Sequence, residues 1–393
     1  MDETSDVGGS HAVYRDTNLQ IIFGVTLMAV LGVSSITPAF PRIVEELNIT
    51  PQAVGSLITV FTLPGVFLTA VLGILADQFG RKRILVPALL IFATAGSACA
   101  FARDFELLLL LRFLQGVGAA GLGAINLTII GDLYTGQERT EAMGCNSSVL
   151  SVGTASYPAI GGILATVGWF YPFLLPLAAI PVTLAVVSSL NNPEPTAPQH
   201  FREYLADAWR VIANRRVLAL FVVSTLTFII LYGSYMSYFP LLVGGSFAAP
   251  PFVVGLVMSV SSLATALTAS QAGRLARAFS EKTLIGVSCV LYGLALVAIP
   301  LIPNLWMLAI PISVFGVAQG INLPSLMAFL ANQAPMEQRG ALMSINGMVL
   351  RLGQTLGPVI MGMIFTVAGM GGVFVGGAVC ALLMLAVVLV VMN

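Results

Sequence analysis

The chain has 393 residues, 58% of them hydrophobic and only 9% charged, with a mean hydropathy of +0.96. Soluble domains carry about 25% charged residues, so this composition excludes an ordinary soluble fold and calls for a lipid bilayer as solvent. The 17 bases and 17 acids cancel, and net charge therefore points to no partner.

Residues 1–18, MDETSDVGGSHAVYRDTN, lack the basic-then-apolar order of a cleavable signal and read as a mobile tail. Twelve apolar runs follow, near 19–43, 52–76, 84–102, 107–134, 142–166, 170–190, 217–243, 252–272, 283–302, 305–332, 341–368 and 371–392. Each approaches the roughly 20 residues that a helix needs to cross hydrocarbon. Between the sixth and seventh runs, NNPEPTAPQ breaks the apolar pattern, and FREYLADAWRVIANRR places Phe201, Tyr204, Leu205, Ala208, Trp209 and Ile212 at helical spacing. That segment reads as an amphipathic helix on the membrane surface, or as a solvated linker. Cys99, Cys145, Cys289 and Cys380 all lie in apolar runs and read as small buried hydrophobes. His11 and His200 fall in polar segments, so no metal site is expected.

With the amino terminus inside, thirteen bases face the cytoplasm, among them Arg81, Lys82, Arg83, Arg139, Lys282 and Arg339; only Arg42 and Arg103 face out. Positive charge gathers on the cytoplasmic side of membrane proteins, so both termini are expected there. The chain also repeats itself at an offset of 200: Pro51 and Gly55 meet Pro251 and Gly255, Lys82 meets Lys282, Gly153 meets Gly353, and Pro158 meets Pro358. The expected fold is therefore an all-α membrane protein with twelve transmembrane helices in two pseudo-symmetric halves, 19–190 and 217–393, joined by a cytoplasmic linker at 191–216.

Three motifs sharpen this. GILADQFGRKR places Gly73, Asp77, Gly80 and Arg81 in the loop between the second and third spans, and resembles the loop motif of the major facilitator superfamily. The resemblance implies a cytoplasmic latch in which Asp77 contacts the end of the eleventh helix and Arg81 pairs with Asp132. The second copy, GRLARAFSEKT, reverses the signs with Arg277 and Glu281. In the fourth span, Arg112, Gln115 and Asn126 share a stripe and resemble the family's R-x-x-Q-G motif. Arg112 must face the interior or water, either lining a cavity or tying backbone carbonyls. In the fifth span, Gly144, Gly153, Pro158, Gly161 and Gly162 resemble the pattern of the twelve-span drug:proton antiporters, with Tyr157 in place of the glycine before proline.

The resemblance implies a secondary active transporter working by alternating access, exporting hydrophobic or amphiphilic small molecules by proton antiport, and not an enzyme. A carrier of an anionic metabolite, sugar or lipid, with or without proton coupling, stays open as the alternative. The expected partners are a small-molecule substrate and the lipid bilayer, with no nucleic acid, in a monomer of a prokaryotic inner membrane. No cofactor is expected beyond the proton gradient, and no Walker loop or H-E-x-x-H is present. Every acid lies in a loop, the tail or a helix end, so a central proton-carrying carboxylate is missing and Asp77, Asp132, Glu45 or Glu46 are left for that task.

Cavity candidates are Arg112, Gln115 and Asn126 in the first half and Tyr232, Tyr235, Gln319, Asn322, Arg351 and Gln354 in the second. Tyr232, Tyr235 and Tyr238 at three-residue steps suit either cargo stacking or an interfacial aromatic belt. Arg351 lies about 16 Å along its helix, near the midplane. Its counterpart in the first half is Ser151, so the repeat does not demand a charge there. The distribution of bases predicts that a cysteine at Gln78 reacts with an impermeant thiol reagent only from the cytoplasm and one at Asn304 only from outside. Reversed labelling would refute the assigned topology.

Overall fold

The computed structural model describes residues 13–192, 214–333 and 339–391. The helices are α1 (Thr17–Glu46), α2 (Pro51–Phe79), α3 (Arg81–Phe101), α4 (Phe105–Leu133), α5 (Gly136–Val167) and α6 (Tyr171–Ser189) in the first half. The second half has α7 (Arg215–Ser246), α8 (Pro251–Ala269), α9 (Glu281–Leu301), α10 (Leu305–Ala331), α11 (339–368) and α12 (370–391). The last two form one run broken at Gly369, whose φ of 65° suits a residue without a side chain. No strand occurs among the described residues. The start of the tail and the amphipathic segment expected at 201–212 lie outside them.

α1 begins at Thr17, inside the stretch expected to be tail. Asp16 accepts the Asn18 amide as N-cap and the Tyr134 hydroxyl at 2.5 Å, which fastens the start of α1 to the end of α4. Burial and the Asp16 carboxylate together push the Tyr134 phenol well above its ordinary range. Apolar side chains such as Leu184, Leu263, Leu294, Val367 and Leu382 stand exposed on the flanks; on a soluble protein such a belt would aggregate, and in a bilayer it faces lipid.

Each half is held together by a polar tie. In the first, Thr26 of α1 accepts from Asn126 Nδ2 of α4 and donates to Asn146 Oδ1 of α5 at 2.5 Å. In the second, Ser224 of α7 donates to Asn346 Oδ1 of α11 at 3.1 Å, and Thr227 of α7 donates to Asn322 Oδ1 of α10 at 3.2 Å. Asn146 and Asn346 are themselves 200 residues apart, so the repeat extends to the bonds that hold helices one, four and five of each half.

The halves meet along two seams. In one, α2 runs beside α11: a Cβ at Gly55 would lie 3.2 Å from Pro358 Cβ, Thr59 donates to the Thr355 carbonyl, and the Thr62 and Thr355 hydroxyls are 2.9 Å apart. Gly65 against Arg351 ends the seam, a Cβ there falling 3.0 Å from Arg351 Cδ. In the other, α5 crosses α8, with Gly162 against the Pro251 carbonyl and Gly255 against that of Pro158. Phe252 N donates to Thr166 at the outer end of this crossing.

All these contacts lie toward one face of the molecule, opposite the Gly80 turn. Past Gly65, α2 continues for about 21 Å to Phe79. A Cβ at Gly73 or at Gly347, on α11, would meet nothing within 4 Å. The contacts described between the halves thus lie at Gly65 or on its far side, which leaves the cleft between the halves on the side of the Gly80 turn.

Two glycine substitutions separate packing within a half from packing between halves. A Cβ at Gly161 would strike the Ser35 carbonyl of α1, so Gly161→Ala is expected to lower thermal stability by about 1–3 kcal/mol. Gly255→Ala strikes the other half instead. It is expected to leave the protein folded and to lengthen spin-label distances between the far ends of α5 and α8.

Candidate functional site

The turn at Gly80 has φ 101°, a value that suits glycine and lets α3 start directly after α2. Immediately after it, Arg81 is only 7% exposed and lies between two carboxylates. Its Nε donates to Asp132 Oδ2 of α4 at 3.0 Å, and its Nη1 pairs with Asp77 Oδ1 one turn back on α2. Both acids remain about one-third exposed. The expected Arg81–Asp132 pair is therefore present. Asp77 pairs with Arg81, and no hydrogen bond or ion pair between Asp77 and α11 occurs among the described residues.

Arg112 is fully buried inside the first half. It donates to the Leu57 carbonyl at 3.2 Å, the Gly32 carbonyl at 2.9 Å and Gln115 Oε1 at 2.7 Å, and its guanidinium stacks 4.2 Å from the Phe61 ring centroid. Of the two roles open to Arg112, the structure adopts the tie to backbone carbonyls. Placing Arg112 and Gln115 in the cavity is corrected accordingly: Arg112 bonds to carbonyls of α1 and α2, and Gln115, 1% exposed, lies against Gly96 of α3. Asn126, 4% exposed, is engaged in the Thr26 tie.

The aromatic row of α7 is also redistributed. Residues Ile230–Tyr238 form a π-helical stretch, at whose end the Phe239 amide donates to the Ser234 carbonyl five residues back. The wider turn rotates residues three apart onto different faces. Tyr235 turns into the second half, donating to the Met258 carbonyl at 3.0 Å and stacking on Phe315 at 4.8 Å. Tyr238 packs against Phe365 and is fully buried. Tyr235 is thus removed from the cavity, and neither buried ring belongs to an interfacial belt. Tyr232 is half-buried and stacks on Phe228.

On α10, Asn322 is fully buried; it accepts from Thr227 and donates to Ser288 Oγ of α9 at 2.9 Å. It therefore ties three helices together instead of lining the cleft, while Gln319 is half-buried. Arg351 behaves differently from Arg112. It is half-buried at the end of the α2–α11 seam and donates once, from Nη1 to Gln354 Oε1 at 3.1 Å. None of the ion pairs among the described residues includes it.

The motif on α5 is a set of close approaches. Gly153 admits Leu27 of α1, Gly161 admits the Ser35 carbonyl, and Gly162 admits the start of α8. Pro158 presents its carbonyl to Gly255, and Tyr157 is buried beside Gly153. Of the motif's glycines, Gly144 alone has open space. Sequence reasoning missed Thr26, Asn146, Ser224, Asn346, Thr59 and Thr62. The 200-residue spacing of Asn146 and Asn346 was the signal that could have found two of them.

Residues 22–247 and 232–393 match the sequence profile of the Major Facilitator Superfamily. The chain is similar to the Bacillibactin exporter of Bacillus subtilis (strain 168), with 26% identity over 389 residues covering 95% of each chain. It is also similar to Multidrug resistance protein 1 of the same organism, with 27% identity over 358 residues covering 90% of this chain and 91% of the other. Among solved structures, the nucleoside transporter NupG superposes with a TM-score of 0.82 at 17% identity, covering 96% of this chain and 100% of the other. At that identity the likeness speaks for the fold alone.

The Arg81 cluster yields a test of its own. Asp77→Asn leaves Arg81 with Asp132 as its charged partner. It is expected to impair transport and lengthen spin-label distances across the open side of the cleft at normal membrane abundance. Unchanged distances would make Asp77 an ordinary loop residue.

Proposed function

The chain belongs to the Major Facilitator Superfamily, and from that premise we propose that this integral membrane transporter exports amphiphilic small molecules by alternating access, driven by the proton gradient. The observation that carries the reading is the cleft between two internally tied halves, whose contacts with each other lie on one side of it. A single central site reachable from one side at a time is what alternating access requires. The thirteen-to-two distribution of bases supports a cytoplasmic opening and cytoplasmic termini, in a prokaryotic plasma membrane. Export is supported by the names of the relatives, one an exporter and one a multidrug resistance protein.

In this reading Asp77, Arg81 and Asp132 form the latch that holds the cytoplasmic side when it closes. The glycines of α5 let α1 and α8 slide at close range. Proton antiport falls to carboxylates at the helix ends, Asp77 and Asp132 or Glu45 and Glu46, since none lies at membrane depth. That same lack favours one second reading, a carrier of an anionic metabolite, sugar or lipid that works without proton coupling.

Inside-out vesicles containing the full chain separate the two. Proton-coupled export predicts accumulation of a fluorescent amphiphile when the vesicle interior is acid, abolished by a protonophore. Accumulation indifferent to the protonophore would overturn the coupling and support the carrier reading. No movement of any amphiphile would overturn export.

A further inference from the structure

Two arginines lie at membrane depth, and the protein treats them oppositely. A guanidinium has five N–H donors and no acceptor, and leaving it unpaired in hydrocarbon is costly. Arg112 is held within its own half by three acceptors and an aromatic face, with no exposure at all, and only its Nη2 lacks an acceptor. Arg351 has one neutral acceptor, Gln354, and no carboxylate within ion-pair distance among the described residues. Nor is any nitrogen of Arg351 among the buried, unpaired atoms, whereas Arg112 Nη2 is. The remaining donors of Arg351 therefore reach open space rather than protein.

That space is the cleft. Arg351 ends the α2–α11 seam against Gly65, where the two halves part. One turn further toward the opening, Gly347 leaves the same helix bare, and Ser344 beyond it is exposed. The side chain is also braced. Its stem lies against Gly65 of the opposite half, Gln354 holds Nη1, and Thr355 bonds its carbonyl and the Thr62 hydroxyl. Tyr232, stacked on Phe228, is within electrostatic reach of it. A braced guanidinium edge, open on one side, matches the planar fork of a carboxylate attached to an apolar body. It repels a cation at the same place.

We propose that Arg351 is the anion-recognition point of the central cleft, and that the transported molecule is an amphiphile carrying a carboxylate that pairs with it. The inference rests on the export reading and narrows it from amphiphiles in general to anionic ones. Ser151, the repeat counterpart of Arg351, carries no charge, so the recognition is one-sided. The carboxylate is held by the second half, while the apolar body remains free to lie against the first.

The test uses the full chain in proteoliposomes with a matched pair of probes, dansyl-6-aminohexanoate and its primary amide, and ethidium as a cation. Wild-type protein is expected to bind and move the carboxylate at least about tenfold better than the amide, a difference of about 1.4 kcal/mol. Arg351→Gln should bring that ratio to near one, and Arg351→Lys, with charge but no fork, to an intermediate value, both in protein of near-normal melting temperature. Gly65→Ala crowds the Arg351 stem without touching its charge, and lowers the ratio even if both arginine variants unfold. Equal handling of the two dansyl probes by wild type, movement of ethidium alone, or a ratio unchanged in folded Arg351→Gln overturns the inference and leaves export standing. Should wild type move none of the three, the export reading falls and this inference with it.

Discussion

Helices in hydrocarbon gain nothing by hiding apolar side chains from one another, so their association depends on how closely their backbones approach. In this protein the approach is made at glycines facing carbonyl oxygens or prolines across the two halves: Gly55 at Pro358, Gly162 at Pro251 and Gly255 at Pro158. On α2 the seam stops where Gly65 meets Arg351, and the cleft begins at that point. The position of the cavity, its depth and the identity of the residue at its apex all follow from where close packing ends.

A cleft that opens and closes needs walls that keep their shape. The polar ties supply this, since a hydroxyl–amide bond with little competing water ties one helix to another at fixed register. Thr26 links α1, α4 and α5; Ser224 and Thr227 link α7 to α11 and α10. The same logic explains why Arg112 lies in the interior of the first half. A charge satisfied by Leu57, Gly32 and Gln115 crosslinks α4 to α2 and α1. Contacts between the halves are by contrast mostly van der Waals, with a few hydroxyl bonds at Thr37, Thr59, Thr62 and Thr166. Such contacts can be exchanged without leaving a charge stranded.

Much of this was legible in the sequence because lipid imposes simple rules. Apolar runs of spanning length implied twelve helices, and the constant offset implied two halves. The Asp77–Gly80–Arg81 spacing and Asp132 lie together as the motif implies. The errors share one cause, which is that one-dimensional spacing does not say which face of a helix looks at the cavity. Arg112, Gln115 and Asn322 are polar and at membrane depth, as a cavity residue should be, yet each is used up by its own half. The tyrosines of α7 were misassigned because the π-helical stretch changes the angle between residues three apart. Nothing in ILYGSYMSY announces that change. Thr26 and Ser224 escaped notice because single hydroxyls are common in membrane helices, and only the partner reveals the bond.

The Arg81 cluster fits the same division between ties and exchangeable contacts. Arg81 is nearly buried, and its bond to Asp132 joins α3 to α4 within one half, so it can persist whichever side is open. Asp77 is placed otherwise. It sits in the last turn of α2, one-third exposed, on the helix that forms the seam with α11. Tilting the halves to close the open side would swing the end of α2 toward the start of α11 and part Gly55 from Pro358 at the other end. A two-state device works only if the packing that holds one state matches in free energy, to within a few kcal/mol, the packing that holds the other. In the proposed cycle, the packed glycines at one end and Asp77 at the other would be the two sides of that balance. In the proposed cycle Gly65 and Arg351, about midway along α2, would lie nearest the pivot. A guanidinium at the pivot moves least, so it can hold a bound group while either mouth opens.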